Sequence, residues 1–131
     1  MTCFDRFIEP EPAGPKTVLI LDEDPGLRRF VANLLEPAGY LAAQVCSDRE
    51  LLSALRSLRP SLIIIDFALA ETSRYDLIGL LQRHVDWRRI PLVVVSDEHS
   101  IAFPLRMDAP IIYKPDRGGL AERIDSALRP N

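Results

Sequence analysis

The sequence predicts an α/β domain built on a doubly wound, five-stranded parallel sheet with strand order 2-1-3-4-5. Three observations predict it. First, the runs Val18-Leu19-Ile20-Leu21, Leu62-Ile63-Ile64-Ile65, Leu92-Val93-Val94-Val95 and Ile111-Ile112-Tyr113 are short and apolar throughout. Runs of that kind read as strands of a parallel sheet, covered on both faces. Second, segments with apolar residues at helical spacing lie between them, as crossover connections require. Third, one further strand, residues 41–46, is short and the least apolar, as an edge strand should be. Right-handed crossovers then leave the first and third strands straddling the switch point of the sheet.

Each element follows in order. Residues 1–16 read as a tail, because Pro10, Pro12, Pro15 and Gly14 break both helix and strand periods. Phe4, Phe7 and Ile8 in that tail could dock on the domain or on a partner. Residues 17–131 form the domain. After strand one, Asp24 can cap a helix with Pro25 in its first turn. Leu27, Phe30, Val31, Leu34 and Leu35 recur at helical spacing, and Pro37-Ala38-Gly39 stops the helix. Asp48 opens a second helix with the stripe Leu51, Leu52, Leu55 and Leu58, ended by Pro60. The third helix, about 75–85, turns Leu77, Ile78, Leu80, Leu81 and Val85 inward. Pro91 opens strand four. Past Ser96 the pattern weakens, and Pro104 disfavours helix at Phe103 and removes a donor. The fourth crossover helix is therefore expected to be short or irregular. Strand five covers 111–114, and Gly118-Gly119 lead into a last helix with the stripe Leu120, Ile124 and Leu128.

A chain of 131 residues has room for one core. A hydrophobic share of 47% and a charged share of 27% are ordinary for a globular protein. A net charge of −3 gives no basic footprint for nucleic acid, and Arg28-Arg29 and Arg88-Arg89 read as solvated helix faces or ends. Cys3 and Cys46 are too few for a disulfide framework and lack metal-ligand spacing. Cys46 is expected to pack as a small apolar residue near a strand end. No segment reaches the ~18 apolar residues of a membrane span, and the N-terminus lacks the pattern of a secretory signal. The reducing cytoplasm is the expected compartment.

The four apolar runs end in chemically loaded residues: Asp22-Glu23-Asp24 after strand one, Asp66 after strand three, Ser96 after strand four and Lys114-Pro115 after strand five. Ligand sites of open α/β sheets gather at the carboxyl ends of the strands. Each residue alone has an ordinary reading. Asp24 caps a helix, and a Lys-Pro pair is commonplace. Together they define a site. Asp22, Glu23 and Asp66 repel one another in one cleft, which favours protonating one of them or binding a cation. Oxygen ligands without His or Cys suit magnesium, which accepts phosphate oxygens as further ligands. A carboxylate beside such an ion can attack phosphorus. The phosphoryl group then carries ~−1.5 to −2 charge. Lys114 is the counter-charge, and Ser96 can donate a hydrogen bond.

Over residues 17–129 the chain closely resembles the receiver domain of two-component response regulators. The resemblance rests on Leu21-Asp22-Glu23-Asp24-Pro25 with Arg28, on Ile65-Asp66, on Ser96 and on Lys114-Pro115. It implies a flavodoxin-like fold and a phosphoacceptor that catalyses its own phosphorylation and dephosphorylation. It implies that Asp66 takes a phosphoryl group from the phosphohistidine of a sensor histidine kinase or phosphotransfer protein. Magnesium would be held by Asp22, Glu23, Asp66 and the backbone carbonyl of Ala68. Ser96 would move onto the phosphoryl group, Lys114 would pair with it, and the Lys114-Pro115 bond would be cis. The sequence departs from the family at several places. Ala70 and Arg74 stand where a proline and a glycine are usual. Asp97 replaces a small residue and adds negative charge. Ile111 stands at the usual aromatic switch position, with Tyr113 two residues on. The segment 97–113 is also shorter than is common.

These departures define the alternative, a pseudo-receiver interaction module with weak or no switching. A third reading, an unrelated magnesium-dependent phosphoryl-transfer enzyme, lacks any GxGxxG or GxxxxGK loop. With no helix-turn-helix segment after residue 129 and no basic stripe, output is expected through protein–protein contacts, without direct nucleic-acid or membrane binding. Phe103, Leu105, Met107 and Tyr113 lie on the family's usual partner face. They can bind a downstream protein or a second copy as a homodimer, or simply fill space.

Overall fold

Five strands form one parallel sheet: β1 (Lys16–Leu21), β2 (Tyr40–Val45), β3 (Leu62–Phe67), β4 (Leu92–Ser96) and β5 (Ile111–Tyr113). Their order in the sheet is β2-β1-β3-β4-β5, with every pair parallel. The computed structural model describes residues 16–22, 25–67, 73–96, 111–113 and 116–128. At Phe67, Ser73, Arg74, Tyr75, Ile111 and Tyr113 it describes the backbone alone. The segment 97–110, where a short or irregular crossover helix is expected, lies outside the described residues, as do residues 1–15. Lys16, assigned above to the tail, is the first residue of β1, paired with Tyr40.

The sheet is buried on both faces because strand residues alternate between two helical layers. Val18, Ile20, Leu62, Ile64, Val93 and Val95 pack with Leu27, Val31 and Leu35 of α1 (Pro25–Leu35) and Leu120 and Ile124 of α4 (Arg117–Leu128). Leu19, Leu21, Ile63, Ile65, Leu92 and Val94 pack on the other side with Leu51 and Leu55 of α2 (Asp48–Leu55) and Leu77, Ile78 and Leu81 of α3 (Ser73–Arg83). Among the described residues no helix is long and apolar enough to cross a membrane.

Helix boundaries have local causes. α1 tightens into a 3-10 turn over Glu36–Ala38 and stops at Gly39, whose φ of 90° is left-handed. Its N–H donates to the Glu36 carbonyl at 3.0 Å. Residues with a Cβ resist that conformation, so glycine is the natural stop. At the start of α2, Ser47 precedes Asp48 as the cap. The Ser47 hydroxyl accepts from the Glu50 N–H at 3.0 Å, and Glu50 Oε1 accepts from the Cys46 N–H at 2.7 Å. This is a reciprocal capping pair. At α4, Asp116 Oδ1 accepts from the Gly119 N–H at 2.9 Å, so Gly118 and Gly119 sit inside the first turn instead of before it. A Cβ at Gly119 would collide with the Asp116 carboxylate.

Three further expectations are corrected. Cys46 is exposed, because β2 ends one residue before it. Leu58 lies beyond α2 and is 36% exposed, since the chain closes at Arg56–Leu58 onto the carbonyls of Ser53 and Ala54. Val85 is 69% exposed, because α3 ends at Arg83. The His84 ring then stacks on Trp87 at 4.0 Å and accepts from the Asp86 N–H at 3.1 Å. Trp87 takes the place against the core expected of Val85.

Gly39→Ala should destabilise the fold by about 1–2 kcal/mol, the cost of forcing an L-residue into left-handed backbone. Ser47→Ala should cost about 1 kcal/mol through loss of the cap. Urea denaturation checks both, as a lowered midpoint with an unchanged slope.

Candidate functional site

β1 and β3 are neighbours in register, with Leu21 opposite Ile65 as their last pair. Asp22 and Asp66 follow one step on, at the carboxyl ends of adjacent central strands. Parallel strands lie ~4.8 Å apart. Strand alternation assigns both residues to the α1–α4 face, with Ile20 and Ile64. Asp22 is buried and Asp66 is half-buried, so Asp66 is the more accessible carboxylate.

The backbone at Asp22 is clamped by the edge strand. Its N–H donates to the Val45 carbonyl at 3.2 Å, and its carbonyl accepts from Gln44 Nε2. The sequence reading missed Gln44. Its only signal is an amide among apolar residues in β2. α1 begins just past this point, so the positive end of its dipole lies toward the crevice and moderates the repulsion between carboxylates.

Ser96 ends β4 and is fully buried. Its pairing partners are Phe67 on β3 and Tyr113 on β5, while Asp66 pairs with Val95. Ser96 therefore stands one rung beyond Asp66. Alternation groups it with Leu92 and Val94 on the α2–α3 side. The sheet thus brings Asp22 and Asp66 onto one face and places Ser96 at the same end of the sheet on the other. Arg28 is exposed on α1. Glu23, Asp24, Ala68, Ala70, Asp97, Phe103, Leu105, Met107, Lys114 and Pro115, with the Lys114-Pro115 bond, lie outside the described residues.

Asp22 and Asp66 offer carboxylate oxygens alone, which suits a hard cation. Among the described residues no group of three His, Cys, Asp or Glu stands together, so a complete set needs Glu23 or backbone carbonyls. A separate cavity of about 330 Å³, beside Trp87, Pro91 and Leu92, lies at the opposite, amino end of β4.

A family model described as the response regulator receiver domain matches residues 18–109. The chain belongs to that family. The receiver is 29% identical over 82 residues to the polar-differentiation response regulator DivK of Brucella anthropi, covering 63% of this chain and 67% of DivK. It is 30% identical over 81 residues to the phosphate regulon transcriptional regulatory protein PhoB of Pseudomonas aeruginosa, covering 62% of this chain and 35% of PhoB. Of the longer protein RcaC of Microchaete diplosiphon it spans 13%, at 26% identity over 66% of this chain. Among solved structures, chemotaxis response regulator CheY4 of Vibrio cholerae superposes with a TM-score of 0.72 at 20% identity, over 87% of this receiver and 99% of CheY4. The signal receiver domain of a signal transduction histidine kinase from Syntrophus aciditrophicus gives 0.69 at 27% identity, over 86% and 89%. Both alignments extend past the end of the family match and support the flavodoxin-like receiver fold.

Gln44→Ala should remove the side-chain donor to the Asp22 carbonyl and cost about 1 kcal/mol. Amide exchange at Asp22 should accelerate in parallel, as the edge clamp loosens. Exchange unchanged at Asp22 would show that Gln44 does not hold this backbone.

Proposed function

We propose that this receiver accepts a phosphoryl group on Asp66, with magnesium, from a histidine kinase or phosphotransfer protein, and signals through altered protein–protein contacts. The observation that carries the reading is the pair Asp22 and Asp66 at the ends of adjacent central strands, the first buried and the second accessible. An oxygen of the Asp66 carboxylate attacks phosphorus in line. A P–O bond forms as the P–N bond to imidazole breaks, and the electron pair returns to the ring nitrogen, which takes up a proton. Magnesium, when bound, supplies positive charge that neutralises the carboxylates and the phosphoryl oxygens. Asp22, Glu23, Asp66 and the Ala68 carbonyl would hold it. Asp22 sits where it draws the cation beside Asp66 and takes no part in bond making. Lys114 pairs with the phosphoryl charge, and Ser96 moves from the other face of the sheet to donate its hydroxyl to one of the phosphoryl oxygens. The domain spans residues 17–131 together with Lys16, and it works in the cytoplasm.

Incubation with magnesium and a small acyl phosphate should add one phosphoryl mass to the intact chain. Asp66→Asn should keep the fold and lose that increment. Calorimetry should detect magnesium binding that Asp66→Asn weakens at least several-fold. Calorimetry is the suitable readout, because the single tryptophan, Trp87, lies at the far end of the sheet. An undiminished increment in Asp66→Asn would move the acceptor elsewhere, with Asp22 next.

A second reading, the pseudo-receiver, is favoured by one observation: Ser96 is fully buried and pairs with Phe67, on the face away from the carboxylates. In the switching reading, beryllofluoride with magnesium should change hydrogen exchange across residues 97–109, which follow Ser96 directly. Identical exchange with and without the mimic would favour the pseudo-receiver over the switching reading.

A further inference from the structure

An apolar groove of about 350 Å³ runs between the C-terminal ends of α1 and α4, lined by Leu34, Leu35, Tyr40, Ile124 and Leu128. Leu34 in it is 38% exposed although it is a large aliphatic residue. The groove adjoins a second depression that shares Tyr40 and Leu128 and contains Lys16, Arg59 and Arg89. Lys16 is also the residue where the N-terminal segment enters β1, paired directly with Tyr40. The segment therefore joins the domain one strand spacing, ~4.8 Å, from the groove.

That segment carries Phe4, Phe7 and Ile8, an aromatic-aromatic-aliphatic set at i, i+3 and i+4, a spacing that would put all three on one face of a helical turn. Residues 9–15 then link it to Lys16. Seven residues of proline-rich chain span at most roughly 20 Å, which covers the distance from Lys16 to any part of the groove. Glu9 and Glu11 flank Pro10 in the linker, against the cations Lys16, Arg59 and Arg89 beside the groove. Arg59 donates from Nη1 to the Asp86 carbonyl at 3.2 Å, which holds its charge at this rim.

We propose that Phe4, Phe7 and Ile8 of this same chain fill the groove between α1 and α4, with Glu9 and Glu11 crossing the basic rim at Lys16, Arg59 and Arg89. The segment is an intramolecular cover for that face. The short linker makes its local concentration high, so docking in cis outcompetes the same contact between molecules. A protein partner that needs the α1–α4 face must displace it first.

The test uses the full chain with Cys46→Ser, so that Cys3 alone carries a nitroxide, and reads methyl signals by NMR. Leu34, Ile124 and Leu128 should broaden several-fold more than Leu77 and Ile63 on the opposite face. That pattern should persist on strong dilution. It should vanish in a variant that also carries Phe4→Ser, Phe7→Ser and Ile8→Ser. Higher salt should weaken it partially, because the rim charges are exposed. Broadening that survives the triple substitution would mean a tail near Lys16 without a docked motif, and would overturn the proposal. Broadening of isotope-labelled, nitroxide-free chains by unlabelled spin-labelled ones would place a second copy in the groove, and would overturn docking in cis.

Discussion

Burial of both sheet faces is the constraint on which the rest of this structure depends. A strand covered by helices on each side has no interior position where a charge can stand without several kcal/mol of desolvation cost. Val18–Leu21 and Leu62–Ile65 therefore carry none, and the first acidic residues occur where each strand leaves its cover. The same rule fixes the β1–β3 register. Apolar runs could slide past one another without exposing anything polar on their faces. A slip of one residue, however, would draw Asp22 or Asp66 one rung deeper, and Asp66 already pairs with the buried Val95. The pairing Leu21↔Ile65 keeps both carboxylates at the rim. The core that holds the fold is thus also the device that aligns the site.

The site is unevenly braced. Asp22 is tied through its backbone to Val45 and Gln44 of the edge strand, and β1 is paired on both sides. β5 pairs with β4 over three residues, Ile111 to Tyr113. Asp22 is therefore tied to the six-residue β1–β2 ladder, while Ser96, although paired on both sides, has on one of them the three-residue ladder of β5.

Much of this was legible in the sequence, for reasons that particular residues make plain. Strand identities and loaded ends were legible because two-sided burial writes an uninterrupted apolar run and a polar terminus. The stop of α1 was legible because Pro37 and Gly39 act locally. Tertiary substitutions were not. Val85 continues the helical period, yet the His84–Trp87 stack ends the helix and sends an indole to the core instead. Ser47 and Glu50 form a capping pair whose spacing was present in the sequence but was overshadowed by Asp48. Gln44 could not be identified, because its value lies in a hydrogen bond to a residue distant in sequence, and periodicity carries no such information. The burial of Ser96, one rung beyond Asp66, depends on strand register, which apolar runs alone do not specify.

The two ends of the sheet are separated by β1 itself, six residues at ~3.3 Å each, or roughly 20 Å. A segment docked at the foot, near Lys16, cannot touch the carboxylates at the crown. α1 spans the distance. Its first residue, Pro25, follows the acidic loop, and Leu34 and Leu35 at its other end line the groove. Eleven residues rising ~1.5 Å each match the height of the strand they cover. Leu27, Val31 and Leu35 lock that helix to the sheet as one rigid element. Any influence of the groove on the acidic centre must pass through a tilt or shift of α1. The rigid packing of its buried face limits such coupling to small displacements, so the cover at the foot controls access to a docking face more readily than it controls the chemistry at Asp66.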